Sequence, residues 1–206
     1  PSGVTGPYAT IVHDGWRRSP ALAALAPEVG RAAARALGVP ELVLFHEHLL
    51  WKPPAGDDMA WHQDYSYLPL DRPDGCTLWI ALDDCDPDNG CLYYLLGSHT
   101  AGEHRAAWGI WQDDDPRAAL PPLVVPDDQP GLPAPTAAGH AIAHHTLVLH
   151  RSPRNTSPRP RRAWAMSWVT PAARWAPQHA PHPRSAVAPR APGDPLEAEL
   201  LRCADR

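Results

Sequence analysis

The chain has 206 residues and a formal net charge of -5, and that length suits one domain with its own core, needing neither disulfides nor structural metal. The acidic balance excludes nucleic acid as the main partner, since phosphate binding needs a broad positive surface and the only basic cluster is the short one from Arg154 to Arg162. No run of about eighteen apolar residues offers a membrane span, and the opening PSGVTGPYAT has no secretory-signal pattern.

The first predicted element is a helix over PALAALAPEVGRAAARALGV, Pro20 to Val39. Leu22, Leu25, Val29, Ala33 and Leu37 recur at helical spacing, and Gly38 with Pro40 ends the run. Residues 1–40 therefore read as a helical flank. The pattern then changes to period two. ELVLFHEHLLWK, Glu41 to Lys52, reads as one or two strands stopped by Pro53 and Pro54. WHQDYSYLPL reads as a strand, and CTLWIALDD, Cys76 to Asp84, as a β-branched and aromatic one. DPDNG is turn chemistry, and CLYYLLGS, Cys91 to Ser98, is a further strand. Residues 108–135 are rich in Asp and Pro and form a loop excursion, with the Asp113 to Asp115 run solvated. GHAIAHHTLVLHRS, Gly139 to Ser152, and RAWAMSWVT, Arg162 to Thr170, return to strand pattern. Residues 171–206 are a Pro-rich extension, with His179 and His182 solvated and a short helical end at PLEAELLR. Short strands with turns between them, preceded by a helix, imply a mainly β sandwich or barrel with a helical flank.

Cys76, Cys85, Cys91 and Cys203 form no C-x-x-C pair. They read as reduced, mostly buried thiols of a cytoplasmic protein.

The chemistry concentrates at His62 and Asp64. Alternate residues of a strand share a face, so the imidazole and the carboxylate point to a common side, with Gln63 opposite. H-x-D alone is a weak signal. A third ligand has to come from another strand, and His150, after the apolar run LVL, is the most informative of the twelve histidines. Two histidines and one carboxylate cap one face of a metal and leave the other positions open, which suits ferrous iron that also holds a cosubstrate and oxygen. A closed structural zinc site takes four protein ligands instead.

The stretches WHQDYSYLPLDRPDG, WIALDDCDPDNGCLYYLLGSH and LHRSPRNTSPRPRRAW, together with LLWKPPAG, resemble the phytanoyl-CoA dioxygenase family of iron(II)- and 2-oxoglutarate-dependent oxygenases. They cover most of residues 49–170 in matching order. The resemblance implies a double-stranded β-helix, or jelly-roll, of the cupin-like kind, within a single oxygenase domain whose core spans 41–170. It implies that His62, Asp64 and His150 are the iron ligands and that Arg161, eleven positions after His150, grips the far carboxylate of 2-oxoglutarate. A guanidinium fork suits that planar anion. Arg162 falls on the opposite strand face and reads as a solvated charge. Trp79 matches a tryptophan beside the cosubstrate. Ser152 and Asn155 fit an H-x-S-x-x-N pattern with a cosubstrate contact at Ser152. His46 and His48 flank Glu47 in what looks like an extra metal motif, but the family places non-ligand cavity residues there, with His48 lining the cosubstrate pocket. His145 reads as a cavity-wall residue or a group orienting the metal ligands, and Lys52 as structural or a substrate-entry charge. Tyr65, Tyr67, Trp51 and Trp61 divide between core and substrate wall.

Two departures from the family pattern stand out. His140 follows Gly139 where the family usually has Asp, and Leu96 precedes Gly97 where it usually has Pro. Both predict altered turns with the ligands intact. The implied activity is oxidation of an unactivated C–H bond of a small metabolite, coupled to decarboxylation of 2-oxoglutarate to succinate and carbon dioxide with O2 as oxidant. Related halogenases carry a small residue in place of the carboxylate, so Asp64 favours hydroxylation. Desaturation, epimerisation and cyclisation in natural-product biosynthesis stay open, as do a cupin-like metal hydrolase or isomerase and a non-catalytic jelly-roll. The implied assembly is a monomer or homodimer.

Overall fold

A computed structural model describes residues 3–5, 8–105, 119–176, 190–197 and 200–204. The strands are β1 (Gly3–Thr5), β2 (Thr10–His13), β3 (Glu41–Lys52), β4 (Met59–His62), β5 (Gly75–Ala81), β6 (Leu92–Tyr94), β7 (Leu132–Ala134), β8 (Ala141–His145), β9 (His150–Ser152), β10 (Arg161–Val169) and β11 (Arg202–Ala204). Among the described residues one α-helix, α1, spans Pro20–Leu37. The larger sheet has the order β1-β2-β3-β10-β5-β8, with β11 also paired to β3. The smaller has the order β4-β9-β6-β7, and the pairs in both sheets are antiparallel. Two facing antiparallel sheets whose strands alternate between them make a double-stranded β-helix, as the resemblance implied.

α1 begins where expected. Ser19 caps it by accepting from the Leu22 N–H, Pro20 occupies the first helical turn, and Gly38 closes it at φ 66°. Only part of the predicted stripe is buried, since Ala33 lies in the core and Leu22 and Val29 pack against it. Leu25 and Leu37 are exposed, and Ala26, Gly30, Ala33 and Ala34 are buried. The reason lies across the interface, where Trp168 and Cys203 fill the space against Gly30. Bulk supplied by the sheet leaves room only for small residues on the helix. The outer core thus joins the alanine face of α1 to Leu42, Leu44, Cys76, Leu78, Trp164, Met166 and Trp168.

β3 is a single twelve-residue strand with an irregularity that matters for the site. Its register against β10 shifts between Ser167, opposite His46, and Trp168, opposite Leu44. Phe45 is the extra residue of a β-bulge. Val43 and Phe45 pack between the sheets, and after the bulge the parity changes, so that His46, His48, Leu50 and Lys52 face inward.

Several elements differ from the sequence reading. The 1–40 flank is not purely helical, because β2 pairs with β3 and lengthens the larger sheet. The strand expected over Cys91 to Ser98 is only Leu92–Tyr94, and the chain then turns through Gly97 (φ 82°) into a 3-10 turn at Ser98–Ala101. The run Gly139 to Ser152 is two strands, β8 and β9, which belong to different sheets. Among its described residues, PLEAELLR is not helical, and the chain ends in β11, whose Cys203 packs against α1 and whose backbone pairs with β3. The early part of the 108–135 excursion, Asp113 to Asp115, His179 and His182 lie outside the described residues. No helix among the described residues is long and apolar enough to cross a membrane.

Candidate active site

Between the sheets lies a chamber of about 540 Å³, lined by residues of both. His62, the last residue of β4, stands directly opposite His150, the first of β9, and their ring centroids are 4.1 Å apart. Asp64 is not on the strand, as alternation assumed. It opens a 3-10 turn, Asp64–Tyr67, after the extended residue Gln63. The turn still delivers its carboxylate to the histidines. Asp64 Oδ1 lies 4.0 Å from His62 Nε2 and 3.5 Å from His150 Nε2.

Each of these groups is oriented by a neighbour. His62 Nδ1 is 2.8 Å from the Ala60 carbonyl and His150 Nδ1 is 3.1 Å from that of Val148. An Nδ1–H donated to a carbonyl leaves the Nε2 lone pair for the shared point. On the carboxylate, Thr77 donates to Asp64 Oδ2 at 2.6 Å and His144 Nε2 lies 3.0 Å from the same oxygen. With its Nε2 proton on the carboxylate, His144 accepts from the Tyr94 hydroxyl at Nδ1, 2.9 Å away. Oδ2 is thereby occupied and Oδ1 is left facing the two imidazoles.

Burial lowers the His62 pKa, and lowers that of His150 to about 3, so both rings are neutral and ready to ligate near pH 7. Burial by itself raises the Asp64 carboxyl, but the neighbouring His150, His144 and His62 outweigh it and hold Asp64 well below the usual carboxylate range. A metal with bonds near 2.1 Å needs adjacent donors about 3 Å apart, and the three ligand atoms of this trio already lie within 4.8 Å of one another. Its two-nitrogen, one-carboxylate composition fits a ferrous site with open positions.

The anion end lies two residues along β9. Ser152 shares the inner face with His150, and its Oγ accepts from Lys52 Nζ at 2.8 Å and from Arg161 Nη2 at 2.9 Å while donating to the Gly90 carbonyl at 2.8 Å. Arg161 is buried, and its guanidinium lies 5.2 Å from the Trp79 ring centroid. Its Nε is buried without a hydrogen-bond partner, and no carboxylate pairs with the guanidinium among the described residues. Burial lowers the Arg161 pKa to about 10, which still leaves it cationic. A buried, unpaired guanidinium facing a chamber can accept an anion as its partner. Arg162, by contrast, is exposed and pairs with Asp83.

Lys52 is no entry charge. It is fully buried, and Nζ also donates to the Ser152 and Pro153 carbonyls. Asn155 is a turn anchor that donates to the Pro53 and Arg159 carbonyls. His48 lines the same chamber but is four residues from Lys52, about 13 Å along the strand. It therefore lies on the Asp64 side, away from the guanidinium.

The sequence reading missed His144 and weighed His145 instead. His145 is half-buried, stacks near His99 and accepts from the Leu147 N–H. Gln63 is a bolt behind the site, donating to the Gly102 and Leu147 carbonyls and accepting from the His104 N–H. Of the four aromatics near the ligand strand, only Tyr67 lines the chamber. Tyr65 is core, Trp51 is exposed and Trp61 lies under Arg151.

Fold and chamber together define a jelly-roll with a two-histidine, one-carboxylate centre and a buried arginine. The chain belongs to the phytanoyl-CoA dioxygenase (PhyH) family, whose model matches residues 12–163. Phytanoyl-CoA dioxygenase domain-containing protein 1 of Bos taurus is 34% identical over 155 residues, which is 72% of this chain and 53% of that protein. A probable alpha-ketoglutarate-dependent hypophosphite dioxygenase of Stutzerimonas stutzeri is 32% identical over 117 residues, 55% of this chain and 40% of that protein. The chain spans about half the length of the curated relatives it matches. Among solved structures, the non-heme alpha ketoglutarate dependent carbocyclase SnoK from nogalamycin biosynthesis matches at a TM-score of 0.79 and 26% identity, over 98% of this chain and 81% of that one.

Proposed function

We propose that residues 41–170 are the core of a single iron(II)- and 2-oxoglutarate-dependent oxygenase domain that hydroxylates an unactivated C–H bond of a small metabolite. The observation that carries this reading is the division of labour on Asp64, with Oδ2 held by Thr77 and His144 and Oδ1 left facing the two Nε2 atoms. His62, Asp64 and His150 would hold the iron. Arg161, its Nη2 braced on the Ser152 hydroxyl, would hold the far carboxylate of 2-oxoglutarate, with Trp79 beside it. When bound, iron and 2-oxoglutarate supply the oxidising chemistry, in which dioxygen converts 2-oxoglutarate to succinate and carbon dioxide and the substrate C–H bond is oxidised.

The chain's own residues bind, orient and exclude water. Neutral His62 and His150 present lone pairs, and Thr77 keeps the carboxylate from rotating. Lys52 and Gly90 fix the Ser152 hydroxyl so that Arg161 needs no rearrangement when the anion arrives. Ile11, Leu50, Met59, Leu68 and Leu92 give the chamber an apolar wall that suits a carbon substrate and keeps bulk water from the reacting bond.

A second outcome at the same centre has specific support. SnoK is a carbocyclase and covers nearly the whole chain, so ring closure in natural-product biosynthesis is the alternative fate of the oxidised carbon. All four cysteines are free and buried, and burial pushes the Cys76 and Cys85 thiols up to about 12, in keeping with a reducing, cytoplasmic setting. The test is anaerobic reconstitution with iron(II) and 2-oxoglutarate, followed by oxygen and a screen of small metabolites for stimulated succinate release. Iron binding with no succinate under any condition sinks the oxygenase reading, and product mass separates hydroxylation from ring closure.

A further inference from the structure

A second group of imidazoles lines the same chamber. His13 ends β2 and stands directly opposite His48 of β3, and His46 lies two residues from His48 on the face that the Phe45 bulge turned inward. The ring centroids are 5.0 Å apart for His13 and His46, 5.1 Å for His46 and His48, and 6.0 Å for His13 and His48. One nitrogen from each lies within 4.8 Å of the others. Two further facts point to a ligand. His13 Nδ1 and His48 Nδ1 are both buried and have no hydrogen-bond partner. A buried polar atom left in that state is destabilising, so two of them on adjacent strands, in rings that already stand together, call for a partner.

We propose that His13, His46 and His48 hold a second divalent metal ion of the zinc type, with its fourth position open to the chamber. The donor set separates this ion from the first. A carboxylate with two imidazoles suits a harder ferrous ion, whereas three neutral nitrogens suit zinc, nickel or copper. Four-coordinate zinc with bonds near 2.05 Å places its donors about 3.3 Å apart, so the rings close by about 1.5 Å at most. The backbone already supplies the arrangement, with two ligands from alternate positions of one strand and the third from its neighbour. His48 thereby becomes a ligand of this ion in place of a cosubstrate contact. The open position gives the chamber a Lewis-acid anchor for an oxygen atom of the substrate, across from the oxidising centre.

The test counts metal on the untagged chain after chelation and dialysis. Zinc titration against a chromogenic chelator is expected to give two tight equivalents for the wild type and one each for His46→Gln and His13→Gln. Anaerobic cobalt(II) is expected to add the strong visible absorption of a four-coordinate site in the wild type and in His62→Ala, and to lose it in both glutamine variants. His13 lies near the sheet edge, so its variant keeps the test alive if His46→Gln misfolds. A single equivalent in the wild type, or two that survive both glutamine substitutions, overturns the proposal. If His62→Ala leaves the count unchanged, the iron reading fails while this one stands.

Discussion

Asp64 takes its orientation from two neighbours, because Thr77 and His144 occupy the oxygen that faces away from His62 and His150. Thr77→Val removes one of those anchors while keeping the shape. Iron(II) affinity of the apoprotein is expected to fall about 10-fold, the lower end for loss of an orienting contact, with an unchanged circular dichroism spectrum. At the other end of the site, Arg161→Met strips a charged partner from a buried carboxylate, a change that typically costs about 2–5 kcal/mol. The dissociation constant for 2-oxoglutarate, measured by dialysis with metal present, is expected to rise about 30-fold or more. Arg161→Lys is not expected to restore it, since an ammonium lacks the planar fork. Lys52 offers a test by pH. Burial, then the Arg161 charge, lowers its pKa to about 7. Between about pH 7 and the ordinary lysine value the unfolded chain binds the extra proton, so stability rises with pH there. Melting curves at pH 7 and pH 9.5 are expected to show that gain in the wild type relative to Lys52→Met.

Packing of α1 on the larger sheet turns on Gly30. A β-carbon there would stand 2.5 Å from Cys203 Sγ and from the Trp168 ring. Ala gains about 1 kcal/mol of helix propensity, yet the overlap costs about 1–3 kcal/mol and leaves no flexible chain end to yield. Gly30→Ala is therefore expected to lower the urea midpoint without altering the slope. Element by element, what sequence periodicity revealed was uneven. The helix ends were legible, because Ser19 and Gly38 are local signals. Its buried face was legible only in part, at Leu22, Val29 and Ala33, because Trp168 and Cys203 decide which other helix residues fit. The H-x-D pair was legible by spacing although the reason differed, since a 3-10 turn and not strand alternation brings Asp64 round. His144 was hidden because a turn at residues 146–149 separates it from His150, so parity could not be carried from one strand to the next. His46 and His48 were legible as a pair at strand spacing, whereas His13 was hidden by a four-residue strand too short to show a period.

Across the molecule, the chamber joins residues of the proposed site from two sheets. His62 and His150 belong to the smaller sheet, and Arg161 and Trp79 to the larger. The family resemblance made this architecture readable where periodicity alone stopped at a sandwich or barrel. β9 crosses between the two ends of the proposed site, with His150 in the candidate metal trio and Ser152 beside the Arg161 guanidinium. Two residues of strand span about 6.7 Å, and neither end has slack, because His150 is tied to Val148 and Ser152 to Lys52 and Gly90. In the proposed site that step would act as a molecular ruler for the keto acid, so oxaloacetate, a methylene shorter, and 2-oxoadipate, a methylene longer, are expected to fail as replacements for 2-oxoglutarate in succinate-equivalent turnover. Choice of cosubstrate would then be a property of backbone pitch, which no change of pocket side chains can retune without moving a strand.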